Sequence, residues 1–248
     1  MATLSSKYFH GPGRKVFYRL PTTEKGCEEG TSDEHALREV LVENCYANES
    51  VGFDVLPGEH WLDLGANIGA FAVYCEMRQA TADCFEPDKE CFGILKMNTE
   101  DSDFSLINCA VTDSPEKEIS FFGSSNPDNH YRGTIFDVQG YKEQEKVPNL
   151  WAQHLKEDYT AMDGIKMDIE GSEFGIIDKW LLPPCDKLVL EYHTSRDPSV
   201  VNLRRRVELL RAHFNNVLLT PEHQRLLVSD LEMSDLKMDQ IIFCWGAK

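Results

Sequence analysis

The segment WLDLGANIGAF (61–71) carries the residue types of a ligand-binding bend. An apolar strand ends at Asp63, Gly65, Asn67 and Gly69 follow, and a helix begins. Glycines at such a bend let the backbone approach a ligand, and a helix start offers free N–H groups to an anion. A second strand, TADCFE (81–86), ends in Glu86, 21 residues beyond Gly65. An acid at that strand tip is placed to accept hydrogen bonds from ribose hydroxyls. A dinucleotide site asks for G-x-G-x-x-G, but here Asn67 takes the middle glycine position and Ala70 the last. Asp63 also sits badly against a pyrophosphate. It suits a cationic amine and a sulfonium, which S-adenosyl-L-methionine combines. The bland alternative is a glycine turn that only links strand to helix.

The elements that must hold these groups are short apolar runs alternating with helical segments. Strands are predicted at KVFYRL (15–20), HWLDL (60–64), TADCFE (81–86), FSLINCAV (104–111), GIKMDI (164–169), KLVLEY (187–192), NVLLT (216–220) and QIIFCWG (240–246). RLLVSD (225–230) reads as a further strand in an antiparallel finish. Helices are predicted over 68–78, 88–98, 172–181 and 200–214, and an amphipathic one from about Glu34 that caps or lids the main domain. This alternation builds a parallel sheet with helices on both faces, an α/β fold. Residues 112–160 break the rhythm with an exposed loop, GSSNPDNHYRG, and a short hairpin. The expected division is an N-terminal extension over 1–55 and a main domain over 56–248.

WLDLGANIGAFAVYC, CFEPDKECFGILKMN and, above all, GIKMDIEGSEFGII (164–177) resemble the FkbM-type S-adenosylmethionine-dependent methyltransferases. Those carry K-x-D-x-E-G-x-E at the fourth strand, matched here by Lys166, Asp168, Glu170, Gly171 and Glu173. LVLEYH (188–193) looks like their fifth-strand segment, and the likeness covers about residues 57–195. The resemblance implies a class I methyltransferase, Rossmann-like, with a seven-stranded, mostly parallel sheet ordered 3-2-1-4-5-7-6. It implies Asp63, Gly65, Asn67 and Gly69 as the methionine-binding loop, Glu86 as the ribose acid, and Asn108 to Ala110 as the adenine edge. It implies O-methylation of a hydroxyl, often on a sugar or a natural product. The acceptor itself does not transfer from the family.

In such a fold the acceptor lies where the fourth and fifth strands end, which puts Asp168, Glu170, Glu191 and His193 at issue. Period-2 alternation sets Lys166 and Asp168 on one side of their strand. Asp168 is the first acceptor-side candidate; the alternative is an internal ion pair with Lys166. Glu170 and Glu173 flank Gly171, where acids also serve a helix dipole without any function. His193 is the general-base candidate by intrinsic pKa, against the reading of a solvated loop histidine. The catalytic expectation is therefore Asp168, Glu170 and His193. Asp168, Glu191 and His193 could instead hold a divalent cation, but nothing in their spacing compels it and no metal is predicted. His130, Tyr131 and Arg132 read as a mobile loop, and Arg204, Arg205, Arg206 and Arg211 as the solvated face of a helix.

Composition narrows the field. With 42 acidic and 25 basic residues the net charge is −17, which repels phosphate backbones and makes nucleic acid an unlikely partner. A small-molecule or glycan hydroxyl is the expected acceptor. No apolar run reaches the ~18 residues a membrane helix needs, and the N-terminus lacks an apolar signal core. The eight cysteines form no C-x-x-C pair and sit mostly in apolar segments, so a reducing, cytoplasmic setting without disulfides or zinc is expected. The rival readings are an RNA ribose methyltransferase, a non-catalytic S-adenosylmethionine-binding module and, least favoured, a nicotinamide oxidoreductase.

Overall fold

Where apolar residues alternate with period 2 the chain forms strands, and the computed structural model shows how they pair. It describes residues 3–8, 15–21, 31–124, 133–137, 141–221 and 239–248. In chain order these are β1 (Leu4–Tyr8), β2 (Lys15–Arg19), α1 (Ser32–Leu41), β3 (His60–Leu64), α2 (Ala70–Met77), β4 (Thr81–Phe85), α3 (Lys89–Asn98), β5 (Ser105–Ile107) and β6 (Ala110–Thr112). Then follow β7 (Glu118–Ser124), β8 (Tyr141–Trp151), α4 (Ala152–Asp158), β9 (Met162–Met167), α5 (Glu173–Lys179), β10 (Cys185–Tyr192), α6 (Val200–His213), β11 (Phe214–Pro221) and β12 (Gln240–Ala247).

The main sheet has seven strands in the order β11-β12-β10-β9-β3-β4-β5. Numbered along the sheet's own strands this is 6-7-5-4-1-2-3, the expected order read from the other edge. Only β12 runs antiparallel to its neighbours β10 and β11. Alternation sends Leu62, Leu64, Ile165, Met167, Leu188 and Leu190 to one core, under α4, α5 and α6. Trp61, Val189, Ile241 and Phe243 go to the other core, under α1, α2 and α3. Helices thus cover both faces, as in a doubly wound α/β domain.

Several expectations need correction. The run 104–111 is not one strand: the chain turns at Asn108, whose side-chain amide donates to the Glu86 and Pro87 carbonyls at 2.7 and 3.1 Å. Beyond the turn, β6 leaves the main sheet and pairs with β8, which in turn forms a hairpin with β7. The described residues of 110–158 therefore hold the expected hairpin within a three-stranded side sheet, and a helix besides. The first 55 residues bring a hairpin as well as the amphipathic helix. The β1–β2 hairpin is fastened to α3 through Asn98, whose side chain bonds both backbone groups of Phe17 at 2.7 and 3.1 Å. It is fastened to α1 by the buried Arg19–Asp33 pair at 2.6 Å. Arg206 is not solvated but buried between Asp178 and Asp197, at 3.0 and 2.6 Å, while Arg204, Arg205 and Arg211 are exposed.

Residues 225–230, His130, Tyr131, Arg132 and most of 23–34 and of the 123–141 insertion lie outside the described residues. Among the described residues seven cysteines are free, six of them buried, and no helix is long and apolar enough to cross a membrane.

Candidate active site

The C-terminal ends of β3, β4, β9 and β10 open into two adjoining clefts. The first, about 590 Å³, lies over β3 and β4 and is walled by Phe85, Glu86, Cys109, Ala110, Val111 and Phe121. The second, about 760 Å³, lies over β9 and β10 beneath α1 and holds Glu39, Tyr46, Lys166, Glu191, His193 and Asp239. Gly65, Asn67, Asp168 and Glu170 line both, so the two clefts meet there.

The bend after β3 takes its shape from three left-handed residues, Gly65, Asn67 and Gly69, with φ of +82, +51 and +89°. The two glycines are required by packing. A Cβ on Gly65 would lie 1.8 Å from the Asp168 carbonyl oxygen, and one on Gly69 would lie 2.7 Å from Leu95 Cδ1. Close approach to neighbouring elements, not to a ligand, is what these two positions demand. Asn67 donates its backbone N–H to Glu86 Oε2 at 2.7 Å, and Asp88 donates to Glu86 Oε1 at 2.7 Å. Glu86 is thereby fixed at the floor of the first cleft. Burial pushes its pKa up to about 8, against the pull of the two backbone N–H donors. The side-chain carbonyl oxygen of Asn67 is buried without a hydrogen-bond partner.

Two of the residues expected to touch the cofactor, Asp63 and Asn108, line neither cleft. Asp63 is fully buried and lines neither cleft. The parallel register sets it opposite Lys166, whose ammonium stands 3.1 Å from Asp63 Oδ1 and donates its hydrogen bond to the Gly65 carbonyl at 2.6 Å. Burial opposes the Lys166 charge, but Asp63 and Asp168 outweigh it and hold its pKa above the ordinary lysine value. Lys166 therefore serves Asp63 first, with Asp168 farther off at 3.8 Å. Asn108 spends its amide on backbone carbonyls and does not line the first cleft, whereas Cys109 and Ala110 do.

The second cleft is assembled by register. Val189 on β10 faces Lys166 on β9 and Leu190 faces Met167, so one further step sets Glu191 beside Asp168, and His193 follows two residues on. Beyond β9 the chain turns through Glu170 and Gly171, at φ of +52 and +108°. Left-handed backbone is rare for glutamate and is strain of the kind found at functional sites. Thr134 Oγ donates to the Glu170 carbonyl at 2.9 Å, and Arg196 reaches its carboxylate at 3.3 Å. Burial pushes the Glu170 carboxyl up to about 7, with His193 pulling it down.

His193 is 3% exposed and ringed by carboxylates. Its Nδ1 is 2.9 Å from Glu173 Oε1, and its Nε2 lies 3.6, 3.6 and 3.7 Å from Asp168, Glu170 and Glu191. Burial disfavours the imidazolium, but Glu173 and Glu170 overcome this and hold the pKa well above the ordinary histidine value. An imidazolium accepts no proton, so this surrounding disfavours His193 as a base. Glu173 is no surface helix cap either. It is fully buried and accepts from His193 and, at 2.7 Å, from the Gly171 N–H. Sequence reasoning also missed Tyr46, whose hydroxyl donates to Asp168 Oδ2 at 3.2 Å, and Asp239 at the start of β12. The one signal for Tyr46 was its place at the end of the amphipathic N-terminal segment.

This strand order, with ligand clefts at the strand tips where the order reverses, defines a class I methyltransferase fold. Residues 63–214 match the model of the methyltransferase FkbM domain, and the chain belongs to that family of methyltransferases. A search of the curated proteins finds no match. Similar solved structures include the Pyrococcus abyssi tRNA (uracil-54, C5)-methyltransferase in complex with S-adenosyl-L-homocysteine, at 7% identity and a TM-score of 0.47. That match covers 98% of this chain, which spans only 44% of the other. The METTL16 methyltransferase domain matches at 12% identity over 85% of this chain and 67% of its own, with a TM-score of 0.46. The Geobacter metallireducens precorrin-6y C5,15-methyltransferase matches at 12% over 93% of both chains, with a TM-score of 0.41.

Proposed function

We propose that this methyltransferase binds S-adenosyl-L-methionine across the first cleft and transfers its methyl group to a hydroxyl oxygen of a glycan or small-molecule acceptor in the second. The observation that carries this reading is the junction: Gly65, Asn67, Asp168 and Glu170 line both clefts, so a donor and an acceptor held in them would meet there. The lining suits the cofactor's charge. Among the described residues the first cleft has no lysine or arginine for a pyrophosphate, but it has Glu86, Asp88, Asp168 and Glu170. The unpartnered Asn67 oxygen offers an acceptor to a ligand amine. Glu86 is read as accepting from the ribose hydroxyls, with Cys109, Ala110 and Val111 as an apolar wall for the base. Asp63 supports the site only through Lys166.

When bound, the cofactor supplies an electrophilic methyl carbon and a sulfur leaving group. The chain's own part is to hold the acceptor oxygen about 3 Å from that carbon and to take its proton. Glu170 is read as the proton acceptor, since it faces both clefts and is held by Thr134 and Arg196. Asp168, steadied by Tyr46, is read as orienting the acceptor hydroxyl, and His193 as restraining the repulsion of the surrounding carboxylates. The acidic second cleft and the net charge of −17 count against an RNA acceptor. The test is calorimetry with S-adenosyl-L-homocysteine, followed by a screen of hydroxyl-bearing glycans and small molecules with labelled cofactor. Tight nucleoside binding and label on an oxygen are expected; label on carbon, nitrogen or RNA would replace the reading. Glu170→Gln is expected to lower turnover while leaving nucleoside affinity within about threefold.

A further inference from the structure

Among the described residues, one buried and one half-buried side chain in the second cleft leave polar atoms without a hydrogen bond. His193 Nε2 makes no hydrogen bond: its nearest acceptors stand 3.6 to 3.7 Å away, beyond hydrogen-bond reach, although the residue is 3% exposed. Glu191, half-buried in the same cleft, makes its one ion pair among the described residues with that imidazole, at 3.7 Å. The other acids here are engaged. Asp168 Oδ2 accepts from Tyr46, Glu170 Oε2 from Arg196, and Glu173 from Gly171 and the His193 ring. What remains is Asp168 Oδ1, a Glu191 oxygen and His193 Nε2, and the ligand atoms of these three residues lie within 4.8 Å of one another.

We propose that Asp168, Glu191 and His193 form a binding site for one divalent cation of the Mn²⁺ class, which holds and acidifies the acceptor hydroxyl. Two carboxylates and one imidazole are the donor set that such a cation accepts. His193 is already oriented for the task. Its Nδ1–H points to the buried Glu173, the outer partner that fixes a metal-binding histidine and presents Nε2 as the ligand. The cation takes the place of the Nε2 proton and adds a further positive charge among these carboxylates. An alkyl hydroxyl is a poor nucleophile for a carboxylate base alone, and a cation lowers its pKa. In the transfer the O–H bond breaks with its proton going to Glu170, the O–CH₃ bond forms, and the S–CH₃ bond breaks with its electron pair remaining on sulfur.

This proposal rests on the second cleft being the acceptor side. Its test therefore needs neither cofactor nor acceptor. The full chain, freed of metal, is titrated with MnCl₂ and free Mn²⁺ is read by electron paramagnetic resonance. One bound Mn²⁺ per chain is expected. Binding should weaken at least about tenfold in Asp168→Asn and in Glu191→Gln, and by about 10- to 100-fold in the positioning variant Glu173→Gln. Circular dichroism checks that each variant folds. Should the variants not fold, an anomalous difference map of a Mn²⁺-soaked wild-type crystal takes their place, with a peak expected between His193 Nε2 and Asp168. No binding by the wild type, full binding by the Asp168→Asn/Glu191→Gln double variant, or a peak elsewhere would overturn the site. Calorimetry with S-adenosyl-L-homocysteine on the same metal-free protein separates the two claims. Nucleoside binding without Mn²⁺ binding removes the cation alone, and Mn²⁺ binding without nucleoside binding removes the cofactor reading alone.

Discussion

The two clefts are built by different means. The first is shaped by backbone: three left-handed residues within five positions, and a glutamate held by the N–H groups of Asn67 and Asp88. The bend and the glutamate it fixes lie within about two dozen residues of sequence, from Gly65 to Asp88, although Cys109 to Val111, Phe121, Asp168 and Glu170 complete the wall. The second is shaped by side chains from elements far apart in the chain: Glu39 and Tyr46, Lys166 to Glu170, Glu191 and His193, and Asp239. A local, backbone-built site tolerates changes in its lining but not in its turn. A convergent, side-chain-built site depends on charge balance, because burial makes an unpaired ion costly.

That contrast can be tested, beginning with the charge balance. Lys166→Met leaves Asp63 buried without its cation, and a loss of about 3–5 kcal/mol in urea unfolding is expected. A loss below about 1 kcal/mol would mean that the pair does not hold the strands. Gly65→Ala should cost about 3 kcal/mol, since it forces a Cβ into the Asp168 carbonyl at a left-handed position. It strikes the shared wall, so nucleoside affinity should fall with stability.

A pH series probes Glu86, with Glu86→Gln separating it from Glu170, which lines the same cleft. Glu86 is buried with a pKa near 8, and hydrogen bonds from ribose hydroxyls favour its ionised form, so nucleoside binding should release a proton. Affinity should then rise with pH, by up to about tenfold per unit, and level off above about 8. A flat profile that persists in Glu86→Gln would detach Glu86 from the ribose. The smallest effect is expected at the rim of the second cleft. Glu39→Gln, on the exposed side of α1, should shift unfolding by less than about 0.5 kcal/mol.

The alternation of strands and helices, the seven-stranded sheet and the motif-bearing strand tips were legible because each depends on local pattern. Leu62 and Leu64 against Trp61, or Leu188 and Leu190 against Val189, already state which face each residue takes. Glu86 at the cleft floor was legible for the same reason, as it ends its strand one turn from the glycine bend. Partnership was not legible. That Lys166 answers Asp63 before Asp168, that Arg206 is buried while Arg205 is not, and that Asn108 turns the chain are outcomes of register and packing between distant segments.

The amino-acid order by itself determined the family and the sheet, since these follow from short-range periodicity and from motif residues within single elements. Only the tertiary structure decided the ring of carboxylates around His193, the burial of Glu173 beside it and the meeting of the two clefts at Asp168 and Glu170. The reason is electrostatic. A side chain's charge and role depend on the carboxylates within a few ångströms of it, and here those come from β9, β10 and the start of α5, brought together by strand pairing alone.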